Sequence, residues 1–154
     1  MATNLPILAI LTLFALSSCG TNSEENNAAL PIVGTWQLLS GTLIEKGDTT
    51  TTDYTKNKSF IKIINDTHFA FLLHDLNKGK DTTAAFTAGG GKYTLNDSTY
   101  TEHLEYCSAR EWENNDFSFT LTLRNDTLIQ RGIEKIEAEG IDRLNIEKYV
   151  RLKD

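Results

Sequence analysis

Cysteine is scarce in this chain. Cys19 and Cys107 are the only two among 154 residues, so no disulfide framework is expected and stability must rest on a core. Cys107 is expected to behave as a small buried hydrophobe. Clustered positive charge is missing too. The 15 Lys and Arg residues are scattered among 21 Asp and Glu, the net charge is −6 and the pI is near 5.1. A phosphate-binding surface needs clustered cations, so nucleic acid is not an expected partner. Helical periodicity is nearly absent, apart from a short turn suggested over 111–114. No nucleophile motif, phosphate loop or dinucleotide fingerprint occurs. Gly89-Gly90-Gly91 lacks the following Lys-Ser/Thr and helix that a phosphate cradle requires. The expectation is a non-enzyme without a cofactor.

What is present begins with an uncharged run, Leu5 to Leu16, ending in Leu16-Ser17-Ser18-Cys19. Twelve residues are too few to span a bilayer, which takes about 20. The length suits a signal h-region, although no Lys or Arg precedes it and only the N-terminal amine supplies positive charge. An apolar run closing on a small residue and Cys reads as a bacterial lipoprotein signal over 1–18; the alternative is a buried helix of an ordinary domain. Cleavage before Cys19 would leave an acylated cysteine that moors the protein to a membrane without crossing it. Residues 19–30 would form a tether, since Gly20 to Ala29 is polar and aperiodic. Glu24 and Glu25 either resemble a surface-export signal or solvate the linker. The expected location is the bacterial outer membrane, facing the periplasm or the cell surface. One domain over 31–154, a monomer, remains.

That domain is rich in Thr, Ile, Phe, Tyr and Val, in short and roughly alternating runs. Asn65-Asp66-Thr67, Asn96-Asp97-Ser98 and Asn125-Asp126-Thr127 each separate two such runs. Asn and Asp tolerate the positive φ of tight hairpins. The pattern predicts eight strands, at 33–45, 58–65, 67–74, 84–95, 98–108, 116–125, 127–138 and 142–152. Exposed loops are expected at 46–57 and 75–81. Eight antiparallel strands in sequence predict an all-β up-and-down barrel, which leaves no free edge; a two-sheet sandwich is the alternative.

A two-residue turn puts its flanking residues on one face. Phe117, Phe119, Leu121 and Leu123 then share a face with Leu128, Gln130 and Gly132, with Gly132 opposite Phe119. Tyr93 is expected opposite Tyr100, Gly91 opposite Glu102 and Gly89 opposite Leu104, with Tyr106 on the same inward face. Phe60, Ile64, Phe69, Phe71 and Leu73 form another apolar face, interrupted by Lys62. The deduced interior is aromatic with polar intrusions at Glu102, Gln130 and Glu134. A filled core rarely keeps a carboxylate, so a cavity is predicted, unless Glu102 is simply hydrated at a barrel mouth. The candidate ligand-binding residues are Phe60, Phe71, Tyr93, Tyr100, Glu102, Phe119 and Gln130. His103, Glu105 and Cys107 alternate on one outward face but lack a fourth ligand at a known spacing, so no metal is expected. His68 and His74 share the outer face of their own strand.

Gly34-Thr35-Trp36-Gln37-Leu38 opens the first strand, Gly89 to Tyr93 supplies a Gly-Gly-Gly-x-Tyr strand, and Tyr149-Val150-Arg151 closes the last. Together these resemble the lipocalin (calycin) signature, and in particular the lipocalin-like lipoproteins of Gram-negative bacteria. The resemblance implies that Trp36 plugs one barrel end and that Arg151 packs on its indole, both as structural residues. It implies a barrel that binds a small apolar or amphipathic molecule, or one that acts through its surface. Two departures stand out: Thr52-Asp53-Tyr54 matches a second lipocalin motif but falls too early, and the usual disulfide is absent. The alternative function is an envelope interaction module with a filled barrel and partner contacts through 46–57 and 75–81. A hydrolase or isomerase using the barrel mouth is a third.

Overall fold

The computed structural model describes residues 30–153, together with Met1. The expectations for the signal, Cys19, Glu24, Glu25 and the tether up to residue 29 lie outside the described residues. Nine strands follow in order: β1 (Gly34–Glu45), β2 (Asp48–Asp53), β3 (Lys58–Ile64), β4 (His68–Asp75), β5 (Phe86–Asn96), β6 (Thr99–Cys107), β7 (Asn115–Arg124), β8 (Thr127–Ile136) and β9 (Ile141–Arg151). Short 3₁₀ turns span Arg110–Trp112, close to the predicted turn, and Glu137–Glu139.

All strands belong to one antiparallel sheet, and β9 returns to pair with β1. The result is a closed eight-strand up-and-down barrel with β2 as an addition. One edge of β1 is shared: Gly34 to Gln37 pair with β3, while Ser40 to Glu45 pair with β2. Half of the expected loop at 46–57 is therefore strand. Its turn is Lys46-Gly47, with φ of 50° and 90°, the double positive φ of a hairpin turn. No Asn-Asp pair marks that turn, and the β-branched Thr49 to Thr52 pair readily beyond it.

The Asn-Asp sites all form hairpins, by two routes. Asp97 and Asn125 adopt positive φ, at 53° and 52°. At the β3–β4 turn the Asn65 carboxamide instead accepts hydrogen bonds from the backbone N–H of Thr67 and His68. Asp75 belongs to the end of β4 and is buried, not part of an exposed loop. Its carboxylate accepts from the N–H groups of Asn77, Gly79 and Ala85 and so ties down the connection to β5.

The β7–β8 register is as predicted, with Phe119 opposite Gly132. The β5–β6 register is shifted by two: Tyr93 faces Glu102, Leu95 faces Tyr100 and Gly91 faces Leu104. The turn centres on Asp97-Ser98 rather than Asn96-Asp97, and a one-residue shift of a turn slides the register by two. A bulge between Gly90 and Gly91 then reverses the pleat of β6. Tyr106 consequently points outward at 70% exposure, and Cys107 turns toward the interior. The expected common face of His103, Glu105 and Cys107 does not exist. The glycine run is needed for close approach: a Cβ on Gly91 would lie 2.0 Å from the His103 carbonyl, and one on Gly89 would meet the Phe71 ring at 2.4 Å.

One end of the barrel is densely packed. Trp36 is fully buried, and its indole N–H donates to the Ile32 carbonyl at 2.8 Å. The Arg151 guanidinium lies 4.1 Å from the Trp36 ring centroid and donates to the Val33 and Pro31 carbonyls. First strand, last strand and the preceding segment are thereby joined. Gly34 makes room for this: its φ is 142°, and a Cβ would meet the guanidinium at 2.5 Å.

Candidate ligand cavity

The pleat of β3 sends Phe60, Lys62 and Ile64 to the inside together. Lys62 is thus carried into the barrel, where it is 2% exposed. Its ammonium donates to Glu102 Oε1 at 2.7 Å and to Gln130 Oε1 at 2.9 Å, and lies 4.0 Å from Glu147 Oε2. These partners come from β6, β8 and β9, so one cation crosslinks the barrel through its centre. The rings of Tyr149, Phe69 and Tyr100 surround it at 5.3, 5.8 and 5.9 Å from their centroids. A cation stripped of water needs such company: paired carboxylate, neutral acceptor and ring faces.

Above this polar layer, away from Trp36, lies a cavity of about 340 Å³. Lys62, Glu102, Gln130, Glu147 and Tyr149 bound it on one side. Tyr54, Phe60, Phe71, Trp112, Phe117 and Phe119 supply aromatic walls. Along β9, Arg143, Asn145, Glu147 and Tyr149 all face in, at a period of two. Arg143 is paired with Glu134 at 2.7 Å and its guanidinium lies 5.0 Å from the Trp112 ring centroid. Asn145 donates to the other oxygen of Glu134, and the Tyr149 hydroxyl donates to Glu147 Oε2, both at 2.7 Å.

The electrostatics follow from burial. Removal from water raises the Glu102 carboxyl above the ordinary glutamate range, against the opposing pull of the Lys62 charge. Burial and then the Glu147 charge raise the Tyr54 phenol. Burial likewise holds Tyr149 and Tyr100 in the neutral phenol form.

Of the sequence candidates, Phe60, Phe71, Glu102, Phe119 and Gln130 line the cavity. Tyr93 and Tyr100 stand apart from it. The Tyr93 hydroxyl donates to the Asn65 carbonyl at 2.8 Å, and its ring packs on Tyr100. Tyr100 is fully buried, and its hydroxyl has no hydrogen-bond partner among the described residues. Both lie toward the closed end, Tyr93 beside the β3–β4 turn and Tyr100 edge-on to Phe69; the two-residue register shift brings Tyr100 closer to its own turn. Glu134, expected inside, is inside. His103 pairs with Asp116 on the exterior at 2.7 Å, and His68 and His74 are exposed.

Lys62, Tyr54, Trp112, Arg143, Glu147 and Tyr149 were not candidates from sequence. Two signals are legible. Lys62 breaks an apolar alternation, and a charge in that position needs an internal partner. Arg143, Asn145, Glu147 and Tyr149 alternate as a set, but a polar alternation on a terminal strand reads equally well as a solvent face. No family model matches this chain, and no curated protein matches it.

Proposed function

We propose that this chain is a lipid-anchored, lipocalin-like binding protein of the bacterial envelope that holds one small amphipathic molecule inside its barrel. The observation that carries the proposal is a hollow of about 340 Å³ with aromatic walls on one side and a hydrogen-bonded ionic layer on the other. Small-molecule sites span about 300–1,000 Å³ and combine apolar lining with a few convergent polar groups. The volume favours a compact ligand over a long acyl chain. A barrel serving only as a scaffold would be more stable with apolar residues at Lys62 and Glu102, since buried ion pairs rarely repay their desolvation. The closure by Trp36 and Arg151 supports the lipocalin-like reading, and the Leu16–Cys19 sequence supports the anchor.

Native mass spectrometry of the full chain, extracted gently from envelope membranes, tests this. The expected result is a bound small mass that Phe71→Trp, which fills the cavity, displaces. Recovery of the bare mass alone, with one stoichiometric protein partner lost on exchange of 76–81, which spares the buried Asp75, would instead favour the interaction module.

A further inference from the structure

The charges around the cavity do not balance. Glu102, Glu134 and Glu147 face it, but only Lys62 and Arg143 bring positive charge. Arg143 is committed to Glu134 through both Nε and a terminal nitrogen, each at 2.7 Å. Lys62 is committed to Glu102 and Gln130, leaving Glu147 at the long distance of 4.0 Å. Glu147 is held by one neutral donor, the Tyr149 hydroxyl on Oε2, and its Oε1 accepts no hydrogen bond from the described residues. Glu102 is itself more than nine-tenths buried and engages Lys62 through Oε1 alone. With all five groups ionised the cavity carries one net negative charge, and the carboxylate left open to a further cation is Glu147, whose side chain is 15% exposed on the cavity side.

We infer that the occupant is an amphipathic monocation, a small aryl or alkyl ammonium whose charge meets Glu147 and whose body lies among Tyr54, Phe60, Phe71 and Trp112; this rests on the binding reading above. The aromatic walls suit either part of such a ligand, since ring faces attract cations and cover apolar groups alike. An anionic ligand meets the opposite situation. Both cations are already engaged, Lys62 is shielded by three rings, and three carboxylates face the space. A neutral alcohol could donate to Glu147 but would leave its charge uncompensated.

Calorimetric titration of the full chain in detergent with 2-phenylethylamine, 2-phenylethanol and 3-phenylpropanoate separates these cases, because the three share a ring and a similar length. The amine is expected to bind at least about tenfold tighter than the alcohol, with the propanoate weakest, as a desolvated charge-assisted hydrogen bond predicts. Glu147→Gln should bring the amine-to-alcohol ratio close to one. An independent arm uses the unaltered chain and needs no variant to fold. Acidification through the raised Glu102 range removes a negative charge from a layer otherwise faced by Lys62 of β3, Tyr100 of β6, Glu134 of β8, Arg143, Glu147 and Tyr149 of β9, and Tyr54 after β2. The amine stays protonated throughout, so its affinity should fall with pH while that of the alcohol changes less. Equal binding of amine and alcohol, tighter binding of the propanoate, or an amine affinity indifferent to acid would overturn the monocation and leave the binding reading intact. Failure of all three probes, with only bare protein in native spectra, would overturn both.

Discussion

The two ends of the barrel are built on opposite principles from the same strands. At the Trp36 end, alternate residues are large and apolar, and Ile32, Trp36, Leu38, Ile64, Phe69, Leu128 and Tyr149 are almost entirely buried. Beyond Lys62 the strands and their connections set the partly buried Tyr54, Phe60, Phe71 and Trp112 beside the buried Phe117 and Phe119 around a hollow, with ions at its base. Stability is concentrated where side chains interlock, because dispersion and burial both require neighbours on every side. The hollow end forgoes part of that gain, and burying Lys62 and Glu102 adds a desolvation cost. Giving up stability in a specific, polar-lined geometry is the mark expected of a region kept for something other than folding, and it is what the proposed ligand site rests on.

The sharpest way to break this contrast uses two phenylalanines two residues apart on β4. Phe69 is 2% exposed among close neighbours, whereas Phe71 lies against Gly89 and borders the cavity. Phe69→Ala should cost about 3–5 kcal/mol, the usual cost of truncating a packed phenylalanine. Phe71→Ala should cost about 1–2 kcal/mol, since part of its surface already borders empty space. Urea unfolding followed by tryptophan fluorescence measures both. Equal losses would mean that the hollow end is as tightly packed as the closed one.

The ionic layer offers a second comparison. Lys62→Met removes the cation that holds Glu102, and leaving a buried carboxylate without its partner should cost about 3 kcal/mol. Pairing it with Glu102→Gln should return a good part of that loss, giving a coupling of about 1–3 kcal/mol in a double-mutant cycle. Strict additivity would show that the 2.7 Å contact carries no energy of its own.

Much of this architecture is legible in the sequence. Eight of nine strands and all three Asn-Asp hairpins follow from alternation and turn chemistry, because a half-buried strand must alternate and a tight turn needs residues that tolerate its φ. Trp36 and Arg151 were placed by their motif positions. The hidden features have a common origin. Which two residues of Asn96-Asp97-Ser98 form the turn is decided by tertiary fit, yet it moves every β5–β6 pair by two. The bulge that turns Cys107 inward leaves no mark beyond the glycines opposite it. Partners across the barrel, such as Lys62 with Glu102 and Gln130, are 40 and 68 residues apart, and strand periodicity places each inside without saying which meet.

The smallest effect separates the two regions by the sign of their pH response. Glu102 has its carboxyl raised by burial, so the folded protein holds that proton more tightly than the unfolded chain does. Where the native state binds more protons, stability falls as pH rises, here from the ordinary glutamate value of 4.5 up through the raised one. Asp53, exposed at the end of β2, behaves oppositely. Hydrogen bonds from Thr55 and Lys56 lower its carboxyl to about 2, so its contribution is present above 3.8 and lost as acid approaches 2. The windows do not overlap, which allows one titration to read both. Relative to the unaltered chain, Glu102→Gln should gain thermal stability as pH rises above 4.5, because glutamine has no charge to desolvate, whereas Asp53→Asn should lose it as pH rises through the acid range. A Glu102→Gln difference that is flat above pH 4.5 would mean water reaches the Lys62 layer freely, and the distinction between a dry ionic floor and an ordinary wet barrel mouth would disappear.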